Sequence, residues 1–92
     1  MTHHDKLPGG WQPTEKTIHR TFRTNSFVTG VEFITGIKDL AQAVNHHPDV
    51  ILTHPTVIVT LTSHDQGMVT MKDVALAEQI NELWDRRFAA NA

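Results

Sequence analysis

Apolar side chains recur along this chain at two different periods, and each change of period marks the border of an element. Between Thr17 and Arg23, Ile18 and Phe22 share one face at period two while His19 falls on the other, which predicts a strand. Thr24-Asn25-Ser26 supplies N-cap residues, and from Phe27 the spacing turns helical: Phe27, Val31, Ile34, Ala41 and Val44, joined by Ile37 and Leu40. Gly30 and Gly36 each cost such a helix about 1 kcal/mol relative to alanine, so packing must hold it. In return they let it sit close to a sheet. Pro48 disfavours helical geometry at His47, so the helix is expected to end near Asn45 or His46. That leaves His46 and His47 held extended on its exit turn.

Asp49 to Thr53 is a short strand candidate, and His54-Pro55 reads as a turn. Thr56 to Ser63 is the strongest strand pattern, with Val57, Val59 and Leu61 on a face that wants helices packed on it. Ile58, Thr60, Thr62 and His64 alternate onto the other face, bringing His64 out at the strand end. Asp65-Gln66-Gly67 makes the next turn. Thr70-Met71-Lys72-Asp73 then has the form of a capping box, with Asp where Glu is more usual. The helix it opens carries Leu76, Ala77, Ile80, Leu83, Trp84 and Phe88 on one stripe. The stripe is wide for one small core, which predicts self-association. With a further short strand between Trp11 and Thr14, the order of elements predicts an α+β domain: an antiparallel sheet with helices packed on one face.

Composition narrows the functional classes. The chain has 92 residues, with eight Lys and Arg against ten Asp and Glu and no cysteine. A chain of this length buries only about 60–65% of its unfolded surface, another reason to expect a homo-oligomer. The charge balance argues against the usual basic nucleic-acid surface, and the missing thiols remove disulfides, thiolate metal sites and a cysteine nucleophile. Runs such as Val57-Ile58-Val59 fall far below the roughly 18 residues needed to span a bilayer. The first residues lack the layout of a secretory signal. A cytoplasmic protein is expected. Residues 1–10 read as a flexible lead-in ending in Pro8-Gly9-Gly10, with residues 11–92 as one domain. His3 and His4 belong to that solvated tail unless they ligate a metal. Trp11 either anchors the core or lines a ligand pocket.

The chemistry concentrates between Asn45 and Asp73. Imidazole gives and takes protons near neutrality, and His46, His47 and His64 sit at element ends with Asp73 beyond them. Adjacent histidines in an extended chain point to opposite sides, so His46 and His47 do not chelate one ion together. A zinc site from one of them with His64 and Asp73 lacks helical i,i+4 ligand spacing. The expected site therefore holds no metal. Asp73 in the first turn also suits the helix dipole, a purely structural use. There is no Gly-rich phosphate loop, no HExxH and no repeat.

The spacing itself is distinctive: His46-His47-Pro48, six residues to His54, ten to His64, nine to Asp73. In this it resembles the pterin-4a-carbinolamine dehydratase family, from Trp11 to about Leu83. The likeness includes the Leu7-Pro8-Gly9-Gly10-Trp11 lead-in, the Val57 to His64 strand and the start of the helix at Asp73 to Ala77. The resemblance implies a four-stranded antiparallel sheet with helices on one face, assembled as a homodimer or homotetramer. It implies dehydration of a 4a-hydroxytetrahydropterin to the quinonoid dihydropterin without metal or organic cofactor. His46, His47 and His64 would handle the protons, with Pro48, Asp73, Lys72, His54 and Trp11 lining the substrate site. Three departures stand out: Gln42 where the family usually has a charged residue, His54 where it has an aromatic ring, and few residues before Trp11. Relatives of this kind also serve as protein-binding modules. Animal ones bind a transcription factor, and a branch associated with α-carboxysomes assembles RuBisCO. The resemblance thus implies a pterin substrate first and a protein client such as RuBisCO as the alternative.

Overall fold

Six elements follow one another in residues 7–89, the part of the chain that the computed structural model describes. They are β1 (Gln12–Pro13), β2 (Ile18–Arg23), α1 (Phe27–Val44), β3 (Asp49–Leu52), β4 (Thr56–Leu61) and α2 (Met71–Arg87). The strands form one antiparallel sheet in the order β1-β2-β4-β3, with both helices on one face. This is the expected α+β architecture. His3, His4 and the first six residues of the lead-in lie outside the described residues.

Period-two alternation sends Ile18 and Phe22 of β2, and Val57, Val59 and Leu61 of β4, into the core under the helices. Phe33 of α1 and Trp84 of α2 close over Phe22, with ring centroids 4.8 and 5.1 Å away, and Phe88 completes the cluster 5.3 Å from Phe33. Edge-to-face and tilted pairs of this kind add to the burial of the rings themselves. The wide stripe of α2 is thus consumed by the chain's own core, and Trp84 and Phe88 offer no surface for a partner. Exposed apolar side chains lie elsewhere: Val28 on α1, together with Phe27, Val31 and Val44 of its expected stripe, Ile51 on β3, and Met68 and Met71 around the start of α2.

The caps are those the local sequence calls for. Ser26 Oγ accepts the Thr29 N–H at 3.1 Å to start α1. At the other end Asn45 takes the left-handed conformation, φ 53°, and the His46 N–H returns to the Ala41 carbonyl at 3.1 Å. The two α1 glycines serve different neighbours. A Cβ on Gly30 would come 2.7 Å from a Leu52 methyl on the sheet, whereas one on Gly36 would meet Leu83 of α2 at the same distance. Only Gly30, then, serves contact with the sheet.

Regular pairing in β4 stops at Leu61 rather than at Ser63, because β2 begins opposite it at Ile18. Ser63 pairs alone with Met68, closing a turn in which Gly67 has φ 66°. The last residues of the lead-in are pinned: the Gly9 carbonyl accepts from Arg20 at 3.1 Å and from Asn81 at 3.0 Å. Asn81 Oδ1 in turn takes the Trp11 indole N–H at 2.8 Å and Arg20 at 2.7 Å. Burial draws the Arg20 guanidinium below its ordinary pKa, an effect that nearby Asp85 opposes.

Because Phe33 touches three other rings in the core, Phe33→Ala should destabilise the fold by about 3–5 kcal/mol in urea denaturation. A loss below about 1 kcal/mol would mean that the ring cluster is not what holds the helices to the sheet.

Candidate active site

The topology gathers four chain segments at one end of the sheet. β3 starts where β4 ends, as the pairing of Asp49 with Thr60 shows. The exit turn of α1, with His46 and His47, leads into β3, while the residues after β4 carry Ser63 and His64 toward the start of α2. His54 sits at the other end, in the hairpin between β3 and β4. There the Pro55 carbonyl accepts the N–H groups of Thr24 and Asn25, beside the start of α1. The 18 residues of α1 span about 27 Å, which sets His54 apart from the histidine pair. Trp11 is buried beside the opposite edge strand, its N–H on Asn81. The structure therefore brings His46, His47, Pro48, His64, Lys72 and Asp73 to one end and leaves His54 and Trp11 out.

Asp73 is the hub of that end. It is the third residue of α2, and its Oδ2 accepts the Thr70 N–H at 2.9 Å, the carboxylate half of the capping box. The carboxylate is fully buried, and a buried charge needs compensating donors. Ser63 Oγ donates to Oδ2 at 2.7 Å, and His46 Nε2 lies 2.6 Å from Oδ1. A carboxylate offers only lone pairs, which places the proton on Nε2 of His46 and leaves Nδ1 for other use. Since the single Ser63 proton goes to Asp73, the Thr70 hydroxyl 2.7 Å away donates to Ser63 in turn. The serine points at a carboxylate rather than at an imidazole, so it is not arranged as a nucleophile.

His47 faces the other way, as neighbours in an extended segment must. It is exposed, and its Nε2 lies 2.5 Å from Gln42 Oε1, one turn back on α1. The two histidines open onto different clefts. His46 shares one of about 170 Å³ with Val44, Lys72, Leu76 and Gln79. His47 and Pro48 share another of about 180 Å³ with Ile34, Ala41 and Val50. A third cleft, about 450 Å³, runs along the turn after β4 and includes Ser63, Met68, Thr70, Met71 and Lys72. Lys72 borders both this cleft and that of His46. His64 is exposed on the turn itself. Among the described residues, no three His, Asp or Glu side chains converge as metal ligands.

Two participants were not legible as partners in the sequence, Ser63 and Gln42, whereas Thr70 was expected beside Asp73 from the capping box. Ser63 did carry a signal. It continues the face of Val57, Val59 and Leu61, and a hydroxyl on an apolar face must find a hydrogen bond.

Residues 2–83 match the family described as Pterin 4 alpha carbinolamine dehydratase. A provisionally named pterin-4-alpha-carbinolamine dehydratase of Sulfurisphaera tokodaii is 42% identical over 74 residues, covering 80% of each chain. One of Chloroflexus aurantiacus is 41% identical over 73 residues, covering 79% of this chain and 78% of its own. Among solved structures, the transcriptional coactivator/pterin dehydratase of Brucella melitensis superimposes with a TM-score of 0.77 at 30% identity, over 82% of each chain. A pterin dehydratase-like RuBisCO assembly factor of the α-carboxysome shares the fold, with a TM-score of 0.65 at 18% identity over 88% of this chain and 93% of its own.

The buried network makes Asp73 structurally costly to remove. Asp73→Ala should destabilise the protein by about 3–5 kcal/mol, since it strands three donors at once. Chemical denaturation checks this, and a variant as stable as wild type would show that the carboxylate does not hold these groups.

Proposed function

The chain belongs to the pterin 4 alpha carbinolamine dehydratase family, and from that premise we propose that it dehydrates a 4a-hydroxytetrahydropterin to the quinonoid dihydropterin. The observation that carries this reading is the buried Asp73 carboxylate fixing His46 at the same end of the sheet as His47 and His64. The reaction needs one acid and one base. A proton delivered to the 4a oxygen lets it leave as water while the C–O bond breaks. A base takes the ring-nitrogen proton, and the freed electron pair forms the new C=N bond. Atoms and charge balance without an external reductant or oxidant.

His46, His47 and His64 supply the acid and the base between them. Asp73 holds the His46 ring through Nε2, which leaves Nδ1 for the reacting molecule. Gln42 steadies His47 in the same way from its own helix. Pro48 keeps the pair extended, and Lys72 stands at the rim between two clefts. The reaction in this reading uses no metal and no organic cofactor, takes place in the cytoplasm, and is carried by a homodimer or homotetramer. Among the described residues, no helix is long and apolar enough to cross a membrane.

A protein-binding role, such as assembling RuBisCO, is the second reading. It is favoured by the exposed Phe27, Val28 and Val31 at the start of α1 and by a neutral Gln42 beside His47. Turnover separates the two.

Mixed with freshly generated 4a-hydroxytetrahydropterin, the protein should accelerate the absorbance change over the buffer rate. His47→Ala should slow it by roughly a hundredfold or more with an unchanged circular dichroism spectrum. Wild-type turnover in that variant would remove His47 from the site, and no acceleration by the native protein would leave the binding role. A chelator should leave the rate unchanged; loss of activity with it would bring back a metal.

A further inference from the structure

We propose that Ser63 is a positioning residue that joins the His64 turn to His46 through Asp73, making the two histidine segments one rigid unit. The inference rests on the dehydratase reading for its effect on rate, but its geometry stands apart from that reading. Ser63 is buried, yet it carries a hydroxyl on a strand face otherwise made of Val57, Val59 and Leu61. It precedes His64 in the chain, and its backbone closes the turn on which His64 is displayed: its N–H donates to Met68 at 3.1 Å, and its carbonyl accepts from Gly67 at 2.9 Å. Its side chain reaches away from the turn, 2.7 Å to Asp73 Oδ2. The other oxygen of the same carboxylate holds His46 Nε2 at 2.6 Å. One residue thereby links the His64 turn to the carboxylate that holds His46.

The order of donors gives the arrangement direction. Thr70 donates to Ser63, Ser63 to Asp73, and His46 to the opposite oxygen of Asp73. Rotation of the carboxylate would break contacts on both sides at once. Without the serine hydroxyl, Oδ2 keeps the Thr70 N–H at 2.9 Å and the long 3.5 Å contact of the Thr70 hydroxyl, both from the cap of α2, and loses its tie to the His64 turn. A tilt at Asp73 moves His46 relative to His64. Since a displacement of about 1 Å can cost roughly a hundredfold in rate, the effect belongs in kcat. Ser63 itself touches no reacting atom in this account.

The test compares Ser63→Ala with Ser63→Thr, which restores a hydroxyl at the same position. In the dehydration assay, Ser63→Ala should lower kcat by roughly ten- to a hundredfold with KM held within about twofold. Ser63→Thr should recover most of the loss. In parallel, the low-field Nε2 proton of His46 is followed by NMR, assigned by its disappearance in His46→Gln. It should shift or broaden in Ser63→Ala and return in Ser63→Thr. Wild-type kcat with an unmoved His46 signal in Ser63→Ala overturns the proposal, and so does a Thr variant that rescues neither readout. If Ser63→Ala does not fold, Ser63→Cys takes its place, since a thiol keeps the volume but is a weak donor. If the native protein shows no dehydration, the functional reading falls while the His46 signal still decides the positioning.

Discussion

A carboxylate removed from water must be met by donors, and this requirement at Asp73 shapes one whole end of the protein. The donors come from three places in the chain: the exit turn of α1, the residue two beyond β4, and the cap of α2 itself. None of these segments is regular where it meets Asp73. The hydrogen bonds, more than backbone pairing, fix their mutual positions. Asp73 therefore has a structural and a chemical use together, since the contacts that satisfy its charge are those that orient His46.

The remainder of the fold delivers these segments to one place. Phe22, Phe33, Trp84 and Phe88 lock both helices to the sheet, while Gly36 lets α1 approach α2 at Leu83. The antiparallel return of β3 and β4 carries the chain away from the histidine pair to the His54 hairpin and back to His64. Functional side chains thus collect at the end where helix termini and strand ends meet, and the far hairpin serves to seat the start of α1 through Pro55. Within the site, the extended exit turn divides its histidines. His46 is turned inward to a charged partner and His47 outward to a neutral one.

Much of this was legible in local patterns, because local physics decides it. Alternation in Val57 to Leu61, helical spacing from Phe27 and from Leu76, the Ser26 cap, the Thr70 to Asp73 box and the stop before Pro48 depend on neighbours a few residues apart. Opposed directions for His46 and His47 followed from extended backbone alone. Local pattern was enough for the places of the elements, the inward faces of β2, β4 and α2, and the residue types able to move protons. It was not enough for the face of α1, where Phe27, Val31 and Val44 are exposed and Phe33 is the buried ring. What it could not determine were contacts between residues distant in the chain. That Trp84 and Phe88 fill the chain's own core, that His54 lies a helix length from its supposed partners, and that Ser63 and His46 share one carboxylate depend on strand order and helix packing. Periodicity says which way a side chain points. What stands opposite it is settled when the whole core closes, because partners separated by many residues meet only then.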